Sequence, residues 1–124
     1  MNIKKYVKDL LTASSELSAK LGKNGKILSA YPQEVNIFPC VIYEEMGSSD
    51  VAFSDNLPEG TSEIVRIHIF TKTLTNYPTT NEVGEIIRNV FRTNFWAMTS
   101  NNELSEVDSI KHRVMDFKRE FYSL

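Results

Sequence analysis

The strongest constraint on the fold is the alternation in Glu63-Ile-Val-Arg-Ile-His-Ile-Phe70. Val65, Ile67 and Ile69 fall on one side of an extended chain, Arg66 and His68 on the other. A period of two marks an antiparallel strand with one face packed on a core. A one-residue slip would turn Arg66 and His68 into that core, so the register is well specified. Val41-Ile-Tyr43 is β-branched and aromatic and suits a partner strand within Phe38–Met46. Pro39 has no N–H for a ladder, so this end reads as an edge or a strand entrance.

The same alternation returns in Ile110–Tyr122. Arg113, Met115, Phe117, Arg119 and Phe121 share one face; His112, Val114, Asp116, Lys118 and Glu120 share the other. Met115, Phe117 and Phe121 are expected to be buried. The strand's length suggests pairing with Glu63–Lys72 or its neighbour. His68 and His112 could then meet across the sheet, with Asp116 as the carboxylate a two-histidine metal site would need. Solvated strand histidines are the commoner outcome, and no metal is assigned.

Two segments read as helices. In Asn2–Leu21, Ile3, Val7, Leu10, Leu11, Leu17 and Leu21 fall near helical spacing, with lysines opposite. Asn2 can cap its start and Gly22 its end. In Asn81–Asn94, Val83, Ile86, Ile87, Val90 and Phe91 form a stripe that belongs in a core. Thr79 or Thr80 can cap it. Glu82 and Glu85 near its start and Arg88 and Arg92 near its end complement the helix dipole. Phe95–Met98 reads as a helix end or a third strand. Asn101-Asn102, within the polar stretch Thr99–Asp108, is a turn signal. The expected architecture is α+β in a single domain spanning residues 1–124. A mostly antiparallel sheet of about four strands packs against two amphipathic helices.

Composition excludes several functions. The 124 residues suffice for one core without disulfides. Cys40, the single cysteine, excludes an intrachain disulfide and any multi-cysteine zinc cluster; beside Pro39 and Val41 it reads as a small buried hydrophobe. No stretch has signal-peptide character, and none approaches the ~20 apolar residues of a membrane span, so a cytoplasmic site of synthesis and use is expected. Glycine-rich phosphate loops and a GxSxG elbow are absent. Glu44 and Glu45 are adjacent and would point to opposite faces of a strand, which is wrong for a shared acid–base pair. No catalytic residue and no cofactor are assigned, and no enzyme activity is expected.

Charge is unevenly spread. Met1–Lys26 holds six lysines against Asp9 and Glu16, whereas Ile27–Glu63 holds seven carboxylates and no Lys or Arg. The acidic middle argues against a broad nucleic-acid surface. Opposite signs suit either two solvated faces or head-to-tail association between copies. Gly47–Ser62 reads as a long acidic connection, either a contact arm or a floppy hairpin tip. Within it, Val51-Ala-Phe53 could continue a strand or tuck under the sheet. Asp50, Phe53, Asp55 and Glu59 on this arm, with Lys23 and Lys26 after the first helix, are the candidate residues for contacts between subunits or with a tube.

The order helix, strand, acidic loop, strand, helix, strand is populated by Phe38-Pro-Cys-Val-Ile-Tyr-Glu-Glu45, Val51-Ala-Phe-Ser-Asp-Asn56 and Ser62–Lys72. It resembles the tail-terminator, or tail-completion, proteins of long-tailed bacteriophages and prophages. In that family a P-x-I/V-x-Y-x-E strand leads into an A-x-F-x-D-like loop and a strand ending in F/W-T/S-K. Pro39, Val41, Tyr43, Glu45, Ala52, Phe53, Asp55, Phe70, Thr71 and Lys72 occupy those places, except that Ala52 and Phe53 are adjacent with no residue between them. The resemblance implies a structural virion protein without cofactor, assembled in the host cytoplasm as a ring of about six copies. Such a ring caps the tail tube and joins tail to head. The implied partners are other copies, the tail tube protein and a head-completion or neck protein. Genomic DNA would pass through the lumen without specific binding, and no membrane is involved. The alternatives are a neck adaptor, or a small cytoplasmic α+β ligand-binding domain.

Overall fold

The computed structural model describes residues 2–32, 34–105 and 109–122. The order of elements is α1 (Ile3–Thr12), α2 (Ser15–Leu21), β1 (Lys26–Leu28), β2 (Cys40–Ser54), β3 (Leu57–Lys72), α3 (Thr80–Thr93), β4 (Ala97–Ser105) and β5 (Ile110–Tyr122). The strands form one sheet in the order β1-β2-β3-β5-β4. Only the β1–β2 pair is parallel. The α+β expectation holds, with two corrections. The sheet has five strands rather than about four, and three helices rather than two.

The expected first helix is broken at Ala13-Ser14. Ser14 leaves the helical region and its hydroxyl accepts from the Leu17 N–H, starting α2. A side chain that competes for backbone donors is a better cap than helix interior. The apolar spacing ran on through this break, which is why it read as one element. Gly22 ends α2 at φ 76, a conformation glycine reaches without steric cost. Asn2 caps α1 and Thr79 caps α3, both as expected.

The helices cover one face of the sheet. Ile3, Val7, Leu11, Leu17 and Leu21 from α1 and α2, with Val83, Ile86, Ile87 and Phe91 from α3, pack on Val41, Tyr43, Val65, Ile67, Ile69, Met115 and Phe117. Gly84 lets α3 approach closely. A Cβ there would meet Arg113 Cδ and Met115 Sδ at 3.3 Å each. Phe91 stacks on Phe117 with centroids 4.2 Å apart, and Trp96 meets Phe91 edge-on at 5.4 Å. Phe121 is half-buried and closes this end against Tyr6 and Trp96. Phe95 takes a positive φ just after α3 and is exposed, so Phe95-Trp96 connects α3 to β4, and Ala97-Met98 begins that strand, as the strand alternative expected. Asn101-Asn102 lies within β4 and makes no turn. The expected polar connection extended to Asp108, and residues 106–108 lie outside those described.

The opposite face carries a smaller cluster. Cys40, Ile42 and Phe70 pack with Leu28, Val35, Phe38 and Ile110. Cys40 is buried, as expected, and burial pushes its thiol pKa up, so it stays an inert thiol. Among the described residues no helix is long and apolar enough to cross a membrane.

Candidate assembly surface

The expected connection Gly47–Ser62 is not a loop. β2 and β3 continue through it as one antiparallel ribbon, paired from Cys40↔Phe70 to Ser54↔Leu57. Asp55 and Asn56 form the whole turn, at φ 51 and 65. Two successive residues with positive φ give the I′ type of turn, whose twist matches the strands it joins. Asp and Asn tolerate that region better than other side chains carrying a Cβ. Val51–Phe53 therefore continues the strand. At ~3.3 Å per residue, the 15 residues of β2 span roughly 50 Å.

β5 supports only part of this ribbon. Among the described residues its pairing with β3 ends at Gly60↔Tyr122, and the turn and the residues beside it extend past that pair. The projecting part is apolar on its surface. Phe53 is 63 % exposed and Leu57 68 %. Asp50, Asp55 and Glu59 are exposed as well. These four candidate contact residues, Asp50, Phe53, Asp55 and Glu59, thus share one hairpin. Lys23 and Lys26 do not join them. Lys26 pairs with Cys40 at the other end of β2, and Lys23 sits in the turn before it. One copy cannot bring the two sets together.

Between the ribbon and the helices, Glu63 is buried, with Oε1 accepting from Ser48 Oγ at 2.8 Å. Its Oε2 finds no hydrogen-bond partner among the described residues. Arg119, its register partner on β5, instead donates to Tyr6 Oη and the Asn94 carbonyl, each at 2.7 Å.

The second polar group lies on the face away from the helices. His68 Nδ1 and His112 Nε2 are 2.9 Å apart, within hydrogen-bond distance. His68 Nε2 donates to Glu44 Oε1. Tyr31 stands edge-on to His68 at 4.9 Å, and Phe70 stacks on His112 at 4.0 Å. The anticipated histidine contact across β3 and β5 is present, but its carboxylate is Glu44. Asp116 is taken by Arg66, in a two-pronged bond of 2.8 and 3.1 Å. That bond holds the Asp116 carboxyl below its ordinary pKa and the Arg66 guanidinium above its own. Among the described residues no three His, Cys, Asp or Glu groups are arranged to hold a metal ion.

Burial lowers the pKa of His68 below the ordinary 6.5, against the opposing pull of Glu44. Below about pH 6.5 the unfolded chain therefore takes up a proton that the folded chain resists, and stability declines as pH falls. Thermal unfolding followed at pH 7.5 and 5.5 should give the lower midpoint at pH 5.5. His68→Gln should shrink that difference; an unchanged difference would assign the pH dependence to other groups.

A cleft of about 620 Å³ lies beside α2, lined by Glu16, Ala19, Lys20, Thr75, Asn76, Tyr77, Pro78 and Glu82. Lys20 and Glu82 bridge it at 3.2 Å.

A mixed sheet with all helices on one face and a projecting hairpin defines the class of fold. No family model matches the chain, and no curated protein matches it. Among solved structures it is similar to a chain in the virion of a native gene transfer agent (GTA) particle. The TM-score is 0.56 at 12 % identity, over 98 % of this chain and 95 % of the other. The two chains share a fold over nearly their full lengths.

Proposed function

We propose that this protein is a structural subunit of a phage-like virion that works as a tail terminator. Copies form a ring, about six in number, that caps the tail tube and joins it to a head-completion or neck protein. The observation that carries this reading is the long acidic hairpin, projecting from a sheet whose fold is shared with a chain of a virion. An exposed apolar tip ringed by carboxylates is costly to keep in water and gains by docking. Asp50, Phe53, Asp55 and Glu59 are the contacts with a neighbouring copy or the tube. Lys23 and Lys26, at the far end, are suited to an acidic partner surface. The protein acts by binding, without a cofactor, at the head-proximal end of the tail. Carboxylates facing the lumen would repel DNA phosphates and let the genome slide.

The test is electron microscopy of particles from a lysogen lacking the gene, with purified protein added back. Filled tailless heads beside tails of abnormal length, with capping and joining restored by the added protein, support the terminator. Normal infectious particles would overturn the virion reading. Tails of normal length beside leaking heads would place the protein at the neck. Phe53→Glu with Leu57→Glu should keep the fold by circular dichroism and lower add-back efficiency at least ~10-fold, equivalent to about 1.4 kcal/mol of contact. Asp55→Asn is the matching charge test, because Asn tolerates the positive φ of this turn position.

A further inference from the structure

The sheet has two open edges. β1 covers β2 only at Cys40–Ile42, and among the described residues no strand lies outside β2 from Gly47 to Ser54. On the other side, β4 closes the order, and among the described residues no strand lies beyond it. Exposed edges are commonly guarded by Lys, Pro or bulges against pairing with another chain. Gly47–Ser54 and Ser100–Leu104 contain no Lys, Arg or Pro. Each strand has one irregularity, at Glu45/Gly47 and at Met98/Ser100, and in both cases the open stretch lies beyond it.

We infer that the Gly47–Ser54 edge of β2 in one copy pairs antiparallel with the Ser100–Leu104 edge of β4 in the next, so that the sheet runs continuously around the ring. This rests on the ring reading proposed above and assigns its lateral contact. Three observations carry it.

The first is polarity. β2 and β5 run one way, β3 and β4 the other. Rotation about a ring axis preserves each strand's sense along that axis. β2 therefore meets the neighbour's β4 antiparallel, the pairing that needs no further change of direction.

The second is stagger. Asn102 is level with Val114 and hence with His68, whereas Val51 is level with Gly60. Val51 of one copy meets Asn102 of the next only if neighbours are offset by eight residues along β3. That is roughly 26 Å over five strands about 4.8 Å apart, a strand tilt of roughly 47°. Closed sheets require such an offset, with typical tilts of about 35–45°. β1 favours it, because it occupies the Cys40–Ile42 end of the β2 edge and leaves the stretch beyond that end open.

The third is the match of faces. Ser49, Val51 and Phe53 lie on the sheet face that carries His68, as do Asn102 and Leu104. The junction continues that face, with Leu104 (43 % exposed) beside the exposed apolar side of the ribbon.

The pairing sets Asp50 opposite Glu103, a like-charge contact that destabilises it, while the eight-residue offset brings the Asp55 turn level with Ile64 of the neighbour, and so with its register partner Lys118.

Disulfide trapping tests the assignment. Full-length Val51→Cys/Asn102→Cys protein, oxidised after assembly, should give a ladder of covalent multimers ending at the ring size. Wild type and each single variant should not, since Cys40 is buried. Mixing the two single variants should give a dimer and stop there. Dimers from either single variant alone would show a symmetric contact and overturn the edge pairing. Rings seen by microscopy that yield no ladder, with Ser49→Cys/Asn102→Cys also silent, would overturn it too while leaving the ring standing. Loss of the ring reading itself would show separately, as normal particles from the gene deletion.

Discussion

Ile67→Asp is expected to abolish folding. Ile67 is fully buried on the central strand, between the pairings to β2 and β5, in the core on the helix-covered face. Losing the isoleucine costs about 2–5 kcal/mol. A carboxylate without a partner in the same place adds several more, or forces a proton onto itself at comparable cost. The sum is of the order of the whole stability of a domain, about 5–15 kcal/mol. Insoluble protein, or soluble protein with collapsed circular dichroism, is the expected result. A native-like spectrum with a cooperative melt would show that the side chain escapes the core and that the register is wrong.

Phe91→Ala should have the next largest effect, about 3–5 kcal/mol, because its cavity lies between elements that cannot close over it. Phe91 is fully buried, stacked on Phe117 and met edge-on by Trp96. The ring sits at the C-terminal end of α3, where Trp96 N–H also bonds the Phe91 carbonyl at 3.0 Å. The variant should fold with a melting point lower by roughly 10–20 °C. A drop of only a few degrees would mean that Trp96 swings into the space.

These two sites were legible from the sequence because each belongs to a long periodic segment. The alternation of Glu63–Phe70 and Ile110–Tyr122 and the stripe from Val83 to Phe91 were written in apolar side chains, and packing leaves that trace. The arm left none. Gly47-Ser-Ser-Asp50 has low strand propensity and Pro58 interrupts the return strand, so the stretch read as a connection. It is held by backbone pairing, which is blind to side-chain identity. Asp55-Asn56 lacks the glycine that usually announces a two-residue hairpin turn. Asn101-Asn102 misled in the opposite sense, because β5 supplies a template that turn propensity alone would not reveal. The contact of His68 and His112 followed from strand adjacency, but Glu44 as its carboxylate required the β2 register, which no pattern encoded. Lys23 and Lys26 were grouped with the arm by charge alone, and charge carries no information on distance along a ribbon.

The sheet order also sets a timetable. β3 lies between β2 and β5, yet β2 precedes it by a two-residue turn while β5 begins 38 residues after β3 ends. As the chain leaves the ribosome, the β2–β3 ribbon can zip at once, with microsecond hairpin kinetics. Its other edge then waits for α3, β4 and β5 to be made, a delay of a few seconds at ~5–20 residues per second. Throughout that interval Val65, Ile67 and Ile69 stand on an unpartnered edge, an adhesive β-surface in a crowded cell. Arg66, halfway along, places a fixed positive charge on that edge until Asp116 arrives with β5 and neutralises it. The ion pair thus has a second use in time: like-charged nascent chains repel one another at the point where they would otherwise join.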